Sequence, residues 1–178
     1  MRNKDVVEVG IREFRKGIDR FNLAREYRLS YITIKSKEEK GYKIKDNRTS
    51  QQELENCADF IARAIDIMLK GMNYAFNPEI DPSVLNGHDQ VNLTKNLLEI
   101  YDIAPELKEI HDLLDDISNM SYYIHQFIKN AAYEGFRIHD STLSKIFLYA
   151  EGLEEFGEKY GLNADYDTFN NKRMKKGT

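Results

Sequence analysis

Chemistry near neutral pH needs a group that exchanges protons or attacks a substrate, and imidazole titrates closest to that range. This chain has four histidines, His88, His111, His125 and His139, and a single cysteine, Cys57. His88 stands in "NGHDQVNL", residues 86–93. Asp89 is placed to cap a following helix by accepting the N–H of residue 91 or 92, and Gly87 permits the turn, which leaves His88 to pack at the helix entrance. Alternatively His88 touches a ligand there, because helix N-termini favour anions. In "FRIHDST", Arg137 and His139 lie two apart beside a second helix start. They could hold a phosphate together, or be two neighbouring loop residues. "SYYIHQF" interleaves tyrosines with His125, and Lys129 follows one turn later. Such aromatics stack bases or fill a helix interface. "HDLLDD" offers His111 and Asp115 at i and i+4, a nitrogen and a carboxylate on one face, with Asp112 and Asp116 beside them. A solvated acidic face explains that run equally, and no metal site is assigned to it.

The elements that must position these groups read as helices. Three prolines, Pro78, Pro82 and Pro105, punctuate the chain, and no segment keeps a period-two alternation. Ile11, Phe14, Ile18, Phe21 and Tyr31 recur near helical spacing and predict a first helix from about residue 5 to the high thirties, broken by "EEKGYKIKDNRTS". Ser50 followed by Glu53 matches a capping box and predicts the start of a second helix. Its apolar face carries Leu54, Cys57, Ala58, Ile61, Ile65, Met68, Leu69 and Met72. Cys57 therefore reads as a small core residue, not a nucleophile. Further helices are expected from about Asp89 to Tyr101 and from Pro105 onward, with a break near "ISNMS". A last helix from Asp140 or Ser141 presents Leu143, Ile146, Phe147, Ala150 and Leu153, with Gly157 and Gly161 marking its end. The economical packing is all-α: an antiparallel bundle of about five helices.

Charge is divided unevenly along the chain. Residues 1–50 hold 14 Lys and Arg against 8 Asp and Glu, net +6, whereas residues 51–178 hold 12 against 22, net −10. A basic front of residues 1–49, a body of 50–162 and a basic tail of 163–178 follow from this and from the helix boundaries. The acidic body would repel a phosphate backbone, so any nucleic-acid contact belongs to the front or the tail. With one cysteine there is no internal disulfide, and neither a cationic leader nor a membrane-length apolar run stands out. A cytoplasmic protein is the expectation. No phosphate-binding glycine loop, zinc pattern or cofactor fingerprint is present, and no cofactor is implied.

Three stretches, "RAIDIMLKGM" at 63–72, "GHDQVNL" at 87–93 and "LSKIFLYAEGLEEFG" at 143–157, together resemble the HEPN domain family. "RAIDIMLKGM", residues 63–72, resembles its second core helix, with Asp66 and Lys70 at the acidic and lysine positions. "GHDQVNL" is similar to the start of the next helix, and "LSKIFLYAEGLEEFG" to the closing helix, so the likeness spans roughly residues 50–160. The resemblance implies a helical bundle that dimerises and acts on RNA or nucleotides, often in toxin–antitoxin or phage-defence systems. Its nuclease members cleave RNA without metal through an Arg-x4-6-His motif, the arginine stabilising charge on the phosphate and the histidine moving protons. Here no arginine precedes a histidine by five to seven positions, and Ser118 and Asn119 of "SNMSYYIH" occupy that place before His125. Serine cannot replace a guanidinium fork facing a phosphate. The reading is a non-catalytic binding and assembly module, homodimeric, with a protein partner from the same operon, a nucleotide or RNA. His88, Asn119, His125, Lys129, Arg137 and His139 are its candidate binding residues. The alternatives are an RNA-cleaving enzyme using His125, His139 and Arg137, and an unrelated helical inhibitor encoded by a mobile element.

Overall fold

The computed structural model describes residues 3–44, 49–79, 81 and 140–176. Among these it contains four helices and no strand: α1 (Asn3–Glu39), α2 (Ser50–Phe76), α3 (Asp140–Tyr160) and α4 (Tyr166–Lys176). The all-α expectation holds for these residues, while the two helices expected between Asp89 and Ala131 lie outside them. No described helix is long and apolar enough to cross a membrane.

Helices α1 and α2 form an antiparallel pair whose backbones touch. Small residues recur every seven positions on both: Gly10, Gly17 and Ala24 on α1, and Cys57, Ala64 and Gly71 on α2, all buried. A seven-residue step is close to two helical turns, so each series stays on one face. A methyl group on Gly71 would lie 2.5 Å from Phe14 N and 2.6 Å from Gly10 O, and one on Gly10 would lie 2.5 Å from Ala75 N. Gly17 is filled in the same way by Met68, and at the far end the Cys57 thiol donates to Ala24 O at 3.5 Å. The absence of side chains along this seam lets two long helices approach at backbone distance. Ile11, Phe14, Phe21, Leu54, Ile61, Met68 and Met72 flank it in the core. Burying each such side chain contributes roughly 1.5–3 kcal/mol before the entropy of ordering is counted.

Both ends of the α1–α2 connection are fixed by hydrogen bonds. Gly41 takes φ +75°, the left-handed region that suits glycine, and the N–H groups of Gly41 and Tyr42 donate to Glu38 O and Lys37 O, ending α1. At the start of α2 the cap is Thr49, one residue before the expected Ser50. Thr49 Oγ1 accepts the Gln52 N–H, and the Gln52 side chain accepts the Thr49 N–H. Ser50 is drawn elsewhere: its N–H and hydroxyl both donate to the Glu38 carboxylate, at 3.0 and 2.5 Å. Glu53, the expected partner of Ser50, is instead buried within α2.

Helix α3 runs antiparallel to α1 and parallel to α2. Phe147 meets Phe21 near its start, and Phe156 and Tyr160 meet Phe76 near its end, with ring centroids 5.6–5.8 Å apart. Gly157 does not fade the helix, as sequence spacing suggested; it sits inside α3 because the Phe14 ring occupies the place of its Cβ. The stop is Gly161, at φ +77°, where Gly161 N–H donates to Glu158 O and Leu162 N–H donates to Gly157 O. The segment read as a basic tail carries α4, capped by Asp165, whose carboxylate accepts the Thr168 N–H at 2.7 Å. Phe169 anchors α4 by packing edge-on against Phe76. Arg15 of α1 reaches the α3–α4 turn, donating to the carbonyls of Asn163 and Ala164.

Candidate functional site

Along the second half of α1, Arg28, Tyr31, Ile32, Lys35, Ser36 and Glu39 fall at steps of three, four, seven, eight and eleven, which places them on one stripe. The stripe faces Leu143 and Ser144 in the first turn of α3. Between the two helices lies an open groove of about 390 Å³ lined by these eight residues. That volume falls in the range of roughly 300–1,000 Å³ common for small-molecule sites. The floor is apolar: Tyr31 and Leu143 are buried, and Ile32 forms part of the wall. The polar groups are two cations, three hydroxyls and one carboxylate.

Arg28 is the central group. Its Nη2 donates to Ser144 Oγ at 3.1 Å, and its guanidinium carbon lies 4.5 Å from the centroid of the Phe147 ring. The aromatic face and the Ser144 hydroxyl together restrain the guanidinium. No carboxylate pairs with it among the described residues, in contrast to Arg25 one turn earlier, which bonds Glu154 at 2.9 Å. The Arg28 charge also reaches the interior. Burial pushes the Cys57 thiol up to about 12, and Arg28 opposes that rise only in part. Lys35 lies over the Tyr31 ring at 5.5 Å. Glu39, eleven residues beyond Arg28, is about 16 Å away along the helix axis at 1.5 Å per residue.

The sequence-selected binding residues are not among the described ones: His88, Asn119, His125, Lys129, Arg137 and His139 all lie outside them, as do His111, Asp112, Asp115 and Asp116. Asp66 and Lys70, the positions matched to the HEPN helix, are exposed and half-buried respectively on α2. Among the described residues no three His, Cys, Asp or Glu side chains gather around a point that could hold a metal ion. Arg28, Lys35 and Ser144 lack the near-neutral titration that marks a histidine, so residue type alone does not single them out. The available signal was the stripe itself, in which cations replace apolar residues on a face that continues from Phe21 and Ala24. Ser144 has no local signal, since it meets Arg28 across 116 positions. Comparison with protein-family models, with curated proteins and with solved structures finds no match.

Proposed function

We propose that this chain is a HEPN-like binding and assembly module that does not cleave RNA, works in a toxin–antitoxin or phage-defence setting and recognises a protein, nucleotide or RNA partner. The observation that carries the binding part is the groove between α1 and α3, whose lining includes a guanidinium bonded to the Ser144 hydroxyl, an ammonium and an apolar floor. Such a lining holds an anionic group by charge and hydrogen bonds. The non-catalytic part rests on the sequence, where Ser118 and Asn119 occupy the place of the arginine needed before His125. The assembly part is supported by Leu29, Ile32 and Leu148, which are 67%, 52% and 60% exposed on α1 and α3. These side chains suit a homodimer contact.

The test is metal-free incubation of the full chain with labelled single-stranded RNA, alongside His125→Ala, His139→Ala and Arg137→Ala, with light scattering on the same samples. A positioned acid or base contributes roughly 10² to 10⁴ in rate, so cleavage should stay at background in all four proteins. The scattering mass should exceed the 20.8 kDa of one chain. Robust cleavage that one substitution abolishes while helical circular dichroism is retained would make the protein an enzyme and overturn the reading.

A further inference from the structure

We infer that the groove between α1 and α3 binds an organic monocarboxylate joined to a branched apolar group, the chemistry shared by a polypeptide chain end with a leucine-like last residue and by small free acids of that shape. The inference rests on the binding-module reading for the chain's role and names what the groove takes. Its anchor is Arg28, half-buried on α1. The Phe147 ring, centred 4.5 Å from the guanidinium carbon, and the Ser144 hydroxyl, 3.1 Å from Nη2, restrain the group, and no carboxylate pairs with it among the described residues. A restrained guanidinium that spends one donor on a neutral hydroxyl keeps others for the two oxygens of a carboxylate. Lys35, the second cation of the lining, stands about 10 Å further along α1 and lies over the Tyr31 ring, so it adds no second charge at Arg28. One cation matches one negative charge. A monocarboxylate meets that condition, whereas a phosphate ester is close to doubly charged at neutral pH.

The apolar part of the lining lies next to this anchor. Ile32 is one turn beyond Arg28, about 6 Å along the axis, and on α3 Leu143 adjoins Ser144. Leu143 is buried, while Ile32 is 52% exposed, so this level of the groove keeps apolar surface that the described residues do not cover. In a leucine-like group the carboxylate carbon and the terminal methyls are separated by four carbon–carbon bonds of about 1.5 Å, which extend over roughly 5 Å. An acid held at Arg28 therefore lays its methyls against Ile32 and Leu143. Covering that surface should favour the branched acid over acetate roughly tenfold. Ser36 and Glu39 continue the lining past this level, in the direction a preceding peptide chain would take.

The experiment is a two-dimensional NMR titration of the isotope-labelled full chain with N-acetylleucine, acetylated glycylglycylleucine, the C-terminal amide of that peptide, acetate and inorganic phosphate. Variants are Arg28→Gln, Ser144→Ala and Ile32→Ser, with Arg12→Ala as an exposed α1 control outside the groove. Saturable binding of N-acetylleucine and of the free-acid peptide is expected at millimolar concentration. Losing a charge-assisted contact weakens binding roughly ten- to a hundredfold, which is the expected effect both of amidating the peptide and of Arg28→Gln. Ser144→Ala should weaken binding less, and it keeps the test decisive if Arg28→Gln loses its fold. Ile32→Ser should remove most of the preference over acetate, and Arg12→Ala should change nothing. Tighter binding of the peptide than of N-acetylleucine assigns the groove to a chain end, and equal binding to a small acid; either result supports the inference. No saturation by either acid at millimolar concentration overturns it. So does an amide that binds as well as the acid, phosphate that binds more tightly than N-acetylleucine, or binding equal in every variant. The RNA incubation reads a different outcome, so either conclusion can fail alone.

Discussion

A methyl group at Gly71 shows how narrowly single residues are specified here. In an exposed helix interior, replacing glycine by alanine stabilises by roughly 0.5–1 kcal/mol, because alanine loses less backbone freedom on folding. At Gly71 the added Cβ would meet Phe14 N at 2.5 Å and Gly10 O at 2.6 Å, both backbone atoms that no rotamer change can move. The sign should therefore reverse. Gly71→Ala is expected to destabilise by about 1–3 kcal/mol, the usual cost of overpacking, as read from the midpoint of a urea transition. A variant as stable as the parent would mean that the two backbones do not touch. Cys57 tests the same seam from its other end. Its thiol is buried and pushed up to about 12, so the thiolate needed for attack is scarce at neutral pH. Labelling by an aromatic disulfide should proceed at the rate of unfolding and accelerate with urea, whereas immediate labelling of the native protein would place the sulfur at the surface.

At the level of elements, the helices were legible where burial sets the pattern and illegible where partners come from far away. Every apolar position assigned to α2, from Leu54 to Met72, is buried, because a 3.6-residue stripe is the direct imprint of one packed face. The cap of α2 lies one residue before the Ser50 that the motif predicts. Thr49 with Gln52 and Ser50 with Glu53 both fit the same short motif, and the choice between them is made by Glu38, which draws Ser50 from across the loop. Helix α4 leaves little trace in the sequence for a similar reason: one anchoring aromatic, Phe169, gives no periodicity, and basic residues crowd its second half. The groove was illegible because Arg28 and Ser144 are paired only by tertiary structure. The Glu38 contact carries a pH dependence. Hydrogen bonds from the Ser50 hydroxyl and N–H hold its carboxyl below the ordinary value of 4.5, so the folded state favours the ionised form. Stability from this contact is then fully present above the unfolded value and is lost as pH falls through the folded one. The melting temperature of Glu38→Ala should lie below that of the parent at pH 7, and the gap should close as pH drops below about 4.5. A gap that stays constant across that window would exclude the contact. Thr49→Ala should cost about 1 kcal/mol without such a pH dependence, because a hydroxyl cap does not titrate there.

For the molecule as a whole, the unequal charge of its two parts leaves the basic front two uses: to lie across the acidic body, or to reach a polyanion. The described contacts give α1 an internal role. Its cations are engaged at several points within the chain: Arg25 with Glu154 of α3, Arg15 with the carbonyls of the α3–α4 turn, and Lys4 over the Tyr166 ring of α4. These contacts are partly exposed and individually worth little. The larger contribution is apolar. Residues 1–36 supply Val7, Ile11, Phe14, Phe21, Ala24, Tyr31 and Ile34 to the core, and they cover the glycine face of α2. At roughly 1.5–3 kcal/mol for each large side chain, their loss matches or exceeds the 5–15 kcal/mol by which whole domains are usually stable. A chain lacking residues 1–36 should therefore show no cooperative thermal transition by circular dichroism and should bind a hydrophobic dye, because Phe14 and Phe21 no longer cover Gly157 and Phe147. If the truncated chain instead melts as sharply as the full one, α1 is an appendage, and its positive charge is free to serve an external polyanion.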